Sequence, residues 1–135
     1  MYCYLLQDWT TIRANASLTS FTQGENDWFD ASGFQDVVLW LDVKEVSFTI
    51  GNPSVAYQTA ATKDESLFVT MATSPLFTFP GTAITAILKE TAVPPLSRWL
   101  RWQLQCSSAA NWDMTFRIFC ALNAIGSNRP QPGSY

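Results

Sequence analysis

Short apolar runs separated by turn residues recur along this chain, and helical periodicity is nearly absent. The clearest run is residues 36–46, DVVLWLDVKEV, in which apolar side chains occupy both faces at the centre. A strand of this kind is expected to be buried on both sides. Residues 84–89 also fit one helical turn, but their β-branched neighbours favour a strand. Further strands are predicted at residues 9–13, 17–22, 47–50, 55–59, 67–72, 84–89, 97–106 and 112–121.

This pattern leaves no room for crossover helices between the strands. It predicts an all-β fold, a single-domain β-sandwich of jelly-roll or Greek-key type with eight or nine short antiparallel strands. A closed barrel is the alternative. We assign residues 1–124 to the sandwich domain. Residues 125–135 contain two prolines and no apolar periodicity, so we expect an extended or disordered C-terminal arm.

The last two strands carry the most informative alternation. Apolar side chains predicted to point inward alternate with polar ones, and the small residues at 107–111 suggest that the strands form an antiparallel hairpin. The inward set is Leu100, Trp102, Leu104, Cys106, Trp112, Met114, Phe116, Ile118 and Cys120. The outward side of such a hairpin would bring aromatic rings and guanidinium groups together, as at protein interfaces. The candidate interface residues are Trp99, Arg101, Arg117 and Phe119. The alternative is an ordinary solvated sheet face with local cation–π contacts.

Composition narrows the classes of partner. The 135-residue chain is 47% hydrophobic and only 14% charged, which favours a surface that a partner covers in part. Its net charge of −3 disfavours nucleic-acid binding, because the basic residues that neutralise phosphates are too few. We expect no membrane association, because no apolar run reaches 18 residues. The first residues lack an export signal, and we therefore expect synthesis in the cytoplasm.

The chain contains no histidine, so histidine-dependent nucleophilic sites are excluded and the commonest metal ligand is missing. Nucleotide-binding glycine motifs are also missing. Carboxylates at Glu25, Asp27 and Asp30 lack the order of a calcium loop, and acidic residues elsewhere cannot be paired by spacing. We therefore expect no enzymatic activity, no cofactor and no metal.

The number and positions of the cysteines predict free thiols. An odd count of three cysteines argues against a disulfide framework, and Cys106 and Cys120 are predicted to be reduced and buried.

Alternation and spacing assign Trp40, Trp102 and Trp112 to the core and Trp9, Trp28 and Trp99 to the surface. Exposed tryptophans such as Trp28 or Trp99 could stack sugar rings. A carbohydrate-binding module or lectin-like β-sandwich is therefore the alternative function.

The proline-rich segment 93–97, the Trp/Arg-rich strand 98–102 and the aromatic strand 112–118 resemble small β-sandwich proteins of tailed-bacteriophage virions. The related proteins are head-decoration and accessory proteins, and the likeness spans about residues 34–121. The resemblance implies a non-enzymatic structural virion protein that binds a phage capsid or tail lattice and decorates or reinforces it. It further implies a homo-oligomer, with a trimer as one form, made in the host cytoplasm. The partners are then capsid or tail subunits, with no nucleic acid or membrane.

Overall fold

The computed structural model describes residues 2–14, 20–48, 53–74, 81–91, 96–106 and 111–124. Nine strands and two short 3-10 helices, Glu25–Asp27 and Glu65–Leu67, make up its regular structure. The strands are β1 (Tyr2–Ala14), β2 (Ser20–Thr22), β3 (Phe29–Asp30), β4 (Phe34–Phe48), β5 (Ser54–Ala60), β6 (Val69–Thr73), β7 (Gly81–Thr91), β8 (Trp99–Gln105) and β9 (Trp112–Ala124).

The strands form two antiparallel sheets. Sheet A has the order β1-β9-β4-β7, and sheet B has the order β2-β8-β5-β6, with β3 also paired to β8. Because β2 and β3 pair with successive parts of β8, they occupy one strand position, which leaves eight positions in all. The chain alternates between the sheets except at β5–β6, and this order is that of a jelly roll. The predicted all-β sandwich is confirmed.

The core lies between the two sheets and follows the predicted alternation. Leu100, Trp102 and Leu104 of β8 face the inward side chains of β9, and all are at most 3% exposed. The rings of Trp102 and Phe116 meet edge to face, with centroids 5.1 Å apart, and so join the two sheets. The inward side chains of β9 are Trp112, Met114, Phe116, Ile118 and Cys120.

The predicted hairpin between β8 and β9 is wrong. Strand β8 lies between β2 and β5 in sheet B, whereas β9 lies between β1 and β4 in sheet A. A short connection between two strands fits a hairpin and a passage from one sheet to the other equally well. Alternation reports which side of a strand is buried, but it does not report the strand with which it pairs.

Strand β4 departs from the expectation of burial on both sides. Its inward residues Val37, Leu39, Leu41 and Val43 are at most 3% exposed. Trp40, predicted to be core, lies half-buried on the outer side of sheet A. A register shift between Val43 and Glu45 then exchanges the two sides of the strand, so that even-numbered residues point inward at its end.

The break between β2 and β3 is held by Gln23, which is 3% exposed. Its side-chain amide donates to the carbonyls of Leu6 and Asp27 at 2.9 and 3.0 Å. Its Oε1 accepts the backbone N–H of Trp102, while its own carbonyl accepts the indole N–H of Trp28 at 2.9 Å. The side chain therefore takes over one bond of the sheet ladder, and the freed carbonyl fixes Trp28 in place.

Some predictions fall outside the described residues, among them the C-terminal arm at 125–135 and the end of the predicted strand 47–50. The helices of the described part are too short to cross a membrane. Gly33, with φ of +86°, supplies the left-handed residue of the turn that leads from β3 into β4.

Candidate functional site

Arg101 extends from the outer side of sheet B, yet it is only 4% exposed. Its guanidinium carbon lies 3.9 Å from the ring centre of Phe68 and 5.0 Å from that of Trp28. Its Nε donates to Oε1 of Gln58 at 2.8 Å, and its Nη1 lies 4.0 Å from Oε1 of Glu65. We call these five residues the Arg101 cluster. They form a polar and aromatic layer over the outside of the sheet.

Two similar local structures deliver the aromatic rings of this cluster. Each 3-10 helix is followed directly by an aromatic residue, Trp28 after Glu25–Asp27 and Phe68 after Glu65–Leu67. The second helix begins at Asp64, whose carboxylate accepts the backbone N–H of Ser66 at 3.0 Å. Because the rings come from both sides of β8, they enclose the guanidinium group with residues of the same chain. The rings of Trp28 and Phe68 also contact each other edge to face.

The pKa values of two groups, Arg101 and the neighbouring Asp64, are shifted by their surroundings. Burial lowers the pKa of Arg101, and the charge of Glu65 acts in the opposite direction. An arginine stays protonated in spite of such a shift. The hydrogen bonds from Ser66 lower the pKa of Asp64, which keeps this capping carboxylate charged. The cluster therefore acts as a structural clamp on sheet B, in which Nε of Arg101 is hydrogen-bonded, whereas its buried Nη1 makes no hydrogen bond and only lies near Glu65.

The outer side of sheet A carries a second arginine with two rings. Arg117 lies 4.5 Å from the ring centres of both Trp9 and Phe119, and its Nε donates to Oδ2 of Asp42 at 2.8 Å. Leu5 and Trp40 are the register partners of Phe119 on the two neighbouring strands, so they share its side of the sheet. We define the Arg117 face as Leu5, Trp9, Trp40, Asp42, Arg117 and Phe119.

The Arg117 face is open where the Arg101 cluster is closed. Leu5 and Trp9 are 48% and 43% exposed. Trp40, Arg117 and Phe119 are half-buried. Among the described side chains that define the face, the charged ones are Arg117 and Asp42, which are paired with each other, and the others are apolar. Surfaces of this kind, with aromatic and arginine side chains at the centre, are typical of protein interfaces.

The four predicted interface residues do not lie on one surface. Arg117 and Phe119 are neighbours on sheet A, while Trp99 and Arg101 belong to sheet B. Trp99 is half-buried beneath two cations, with Lys63 Nζ and the guanidinium carbon of Arg98 at 5.1 and 5.3 Å from its ring. Arg101 is covered by its own chain. Sequence reasoning missed Leu5 as part of a surface, because the bulged strand β1 shows no regular alternation.

Other candidate chemistry is limited. Cys106 and Cys120 are buried free thiols, as predicted, and Cys3 is an exposed one. Burial raises the pKa of the Cys120 thiol to about 12, so this thiol is a poor nucleophile. Within the described ranges no three Cys, Asp or Glu side chains are grouped in a way that could hold a metal ion.

Comparison with known proteins identifies a structural neighbour only. No family model matches the chain, and no curated protein matches it. A chain from a solved structure titled "Structure of infectious bursal disease virus Gx strain" is similar in fold, with a TM-score of 0.52 and 10% sequence identity. The match covers 98% of this chain and 33% of the viral chain, so this chain spans about a third of that protein's length. At this identity the similarity shows the fold alone, a β-sandwich.

Proposed function

We propose that this chain is a non-enzymatic structural protein of a virus particle, in which the jelly roll binds subunits of a capsid or tail lattice. The Arg117 face is the observation that carries the proposal. It combines exposed Leu5 and Trp9 with an arginine whose charge Asp42 already neutralises. A complementary partner surface is therefore apolar at its centre and needs no opposite charge. The similarity of fold to a chain of a solved virus structure supports the same role.

The sequence resemblance also bears on the kind of particle to which the chain belongs. Following the sequence resemblance, the chain decorates or reinforces a particle of a tailed bacteriophage as a homo-oligomer, and it is made in the host cytoplasm. The low share of charged residues, 14%, is compatible with a surface that other subunits cover.

Glycan binding is the second candidate function. Its support is a surface hollow of about 500 Å³ beside Trp28, lined also by Thr22, Gln23, Glu25, Lys63, Asp64 and Glu65. Sugar stacking needs a free ring face, however. Arg101 lies over the ring of Trp28, and Phe68 contacts it edge to face. Lys63 and Arg98 lie over the ring of Trp99. These contacts favour the structural role, and a glycan-binding screen with the Glu25→Gln variant as control tests the alternative.

Protein mass spectrometry of purified particles tests the structural role. We expect the chain in intact particles of the virus that encodes it, in many copies. Because the Arg117 face is apolar and its ion pair is internal, a wash at high salt should leave the chain attached. Its absence from intact particles would rule out the structural role. Its release by moderate salt would show that the contact is made by charged groups and not by the Arg117 face.

A further inference from the structure

Four aromatic rings form a cluster at one end of the sandwich, and none of them belongs to the Arg101 cluster or to the Arg117 face. Tyr4 lies 5.1 Å from Phe29 and 6.0 Å from Phe34, measured between ring centroids, and Tyr2 lies 5.7 Å from Phe34. The rings of Phe29 and Phe34 are 6.3 Å apart. We call Tyr2, Tyr4, Phe29 and Phe34 the aromatic end cluster.

This cluster is more exposed than its position in the sheet would suggest. Tyr2 and Tyr4 are the register partners of Leu122 and Cys120, whose side chains are fully buried, so the tyrosines point to the inner side of sheet A. Sheet B covers that side with β3, which is only two residues long. Tyr2 and Tyr4 are consequently 49% and 39% exposed. Ring faces that would be core in a longer sandwich are available to another segment.

The chain itself supplies a segment with suitable chemistry. Ala124, the last residue of β9, is the register partner of Phe34, so the chain leaves the sheet beside the cluster. In the following sequence, IGSNRPQPGSY, one residue separates Pro130 from Pro132, and Tyr135 is an aromatic residue. Proline-rich segments favour the polyproline II conformation and dock on grooves lined by aromatic residues, because little chain entropy is lost on binding.

The length of this segment allows it to reach past the cluster of its own copy. Pro130 lies six residues beyond Ala124, which in polyproline II conformation corresponds to about 19 Å. This reach is about three times the spacing of the rings in the cluster beside which it starts. We infer that residues 125–135 of one copy dock on the aromatic end cluster of a neighbouring copy. The inference rests on the proposed homo-oligomeric role, and it names the contact that joins the copies.

A complementation experiment with the full chain tests this inference. One variant, Pro130→Ser with Pro132→Ser, has an altered arm and an intact cluster. The other, Tyr2→Ser with Tyr4→Ser, has an intact arm and an altered cluster. Sedimentation velocity measures the mass of each variant alone and of the equimolar mixture. We expect each variant alone to associate roughly tenfold or more weakly than the unchanged chain. The mixture should form hetero-oligomers, because it still contains one intact arm and one intact cluster.

Two controls keep the outcome clear. Val69→Ser changes an apolar side chain that is 56% exposed on β6, which β8 and β5 separate from β3, and it should leave association unchanged. The melting temperature of each variant shows whether the fold persists. If the arm and cluster variants associate like the unchanged chain, or if the mixture fails to associate, docking between copies is wrong. Docking of the arm on its own copy would give the latter result. The chain would still be found in particles in either case, so the proposed function is tested separately.

Discussion

The guanidinium group of Arg101 is stacked on the ring of Phe68, with 3.9 Å between the guanidinium carbon and the ring centre. The two residues are far apart in sequence, with Arg101 in β8 and Phe68 in the connection between β5 and β6, so the contact fixes the second 3-10 helix against the outer side of β8. Since the same guanidinium group also donates to Gln58, it holds three parts of sheet B together. This contact makes Arg101 a structural residue.

Replacement of Arg101 should therefore destabilise the monomer. Arg101→Ala removes two cation–π contacts and a hydrogen bond to Gln58 and leaves a cavity, so we expect a loss of about 3 kcal/mol in the free energy of unfolding. Arg98→Ala is the matched control on the same sheet, because its ion pair with Asp30 is exposed and should contribute less than about 1 kcal/mol. Urea denaturation measures both. Equal losses would show that the Arg101 cluster does not clamp the sheet.

Gln23 offers a second test of the fold. Gln23→Ala leaves two carbonyls and the N–H of Trp102 without their partner, and we expect a loss of about 2 to 4 kcal/mol. Gln103→Ala, on the same sheet, removes a half-buried amide that donates to Thr22 and accepts from Gln105, and it should cost about 1 kcal/mol because these partners remain accessible to water. Comparable denaturation midpoints for the two variants would mean that water replaces the side chain of Gln23.

The sequence was sufficient to predict which side chains of β8 and β9 point into the core. Burial repeats at every second residue, in Leu100, Trp102 and Leu104 and again along β9. The partner of each strand could not be predicted, since sheet order depends on contacts between distant segments. The predicted interface failed to form one surface for this reason: Arg101 and Arg117 follow the correct phase but lie on opposite sheets.

The cover over Arg101 was equally hidden in the sequence. Nothing local to β8 indicates that Trp28 and Phe68 meet above it, because the two rings come from connections on either side of the strand. A signal was present in the repeated pattern of a 3-10 helix followed directly by an aromatic residue. The exposed site on sheet A was found only in part, through Arg117 and Phe119. Trp9 was assigned to the surface without its partners.

The buried thiol of Cys120 predicts a pH dependence of stability. Its pKa is raised from 9.0 to about 12 in the folded chain, so the folded state favours the protonated thiol. The stability that this protonated thiol contributes to the folded state is fully present below about pH 9 and is lost as the pH rises toward 12. At about 1.4 kcal/mol per unit, the unchanged chain should lose up to roughly 4 kcal/mol more than Cys120→Ala across this range. Parallel stability curves for the two proteins would contradict this.

Thiol labelling should separate the three cysteines. In the native protein we expect rapid modification of exposed Cys3 and slow modification of Cys106 and Cys120, which are 4% and 0% exposed. Denaturant should make all three reactive. Peptide mass spectrometry after a short pulse of iodoacetamide identifies the labelled positions. Rapid native labelling of Cys120 would mean that sheet A opens readily at β9.

Substitutions on the Arg117 face test the proposed function most directly. Leu5→Ser with Trp9→Ala removes exposed apolar surface from the β1 side of the face, and the loss of one cation–π contact should lower monomer stability by only about 0.5 to 1 kcal/mol. Interface anchors of this size typically contribute more than about 1 kcal/mol each to binding, so attachment to particles should weaken roughly tenfold or more.

Co-sedimentation of purified protein with particles that lack it measures this attachment, and Val69→Ser provides the control on sheet B. The mass of the oligomer in solution should not change, because the proposed contact between copies lies at the aromatic end cluster. Unchanged co-sedimentation of the double variant would exclude the Arg117 face as the lattice contact. If attachment and oligomer mass fell together while the melting temperature held, the face would join copies of this chain and not bind a lattice partner.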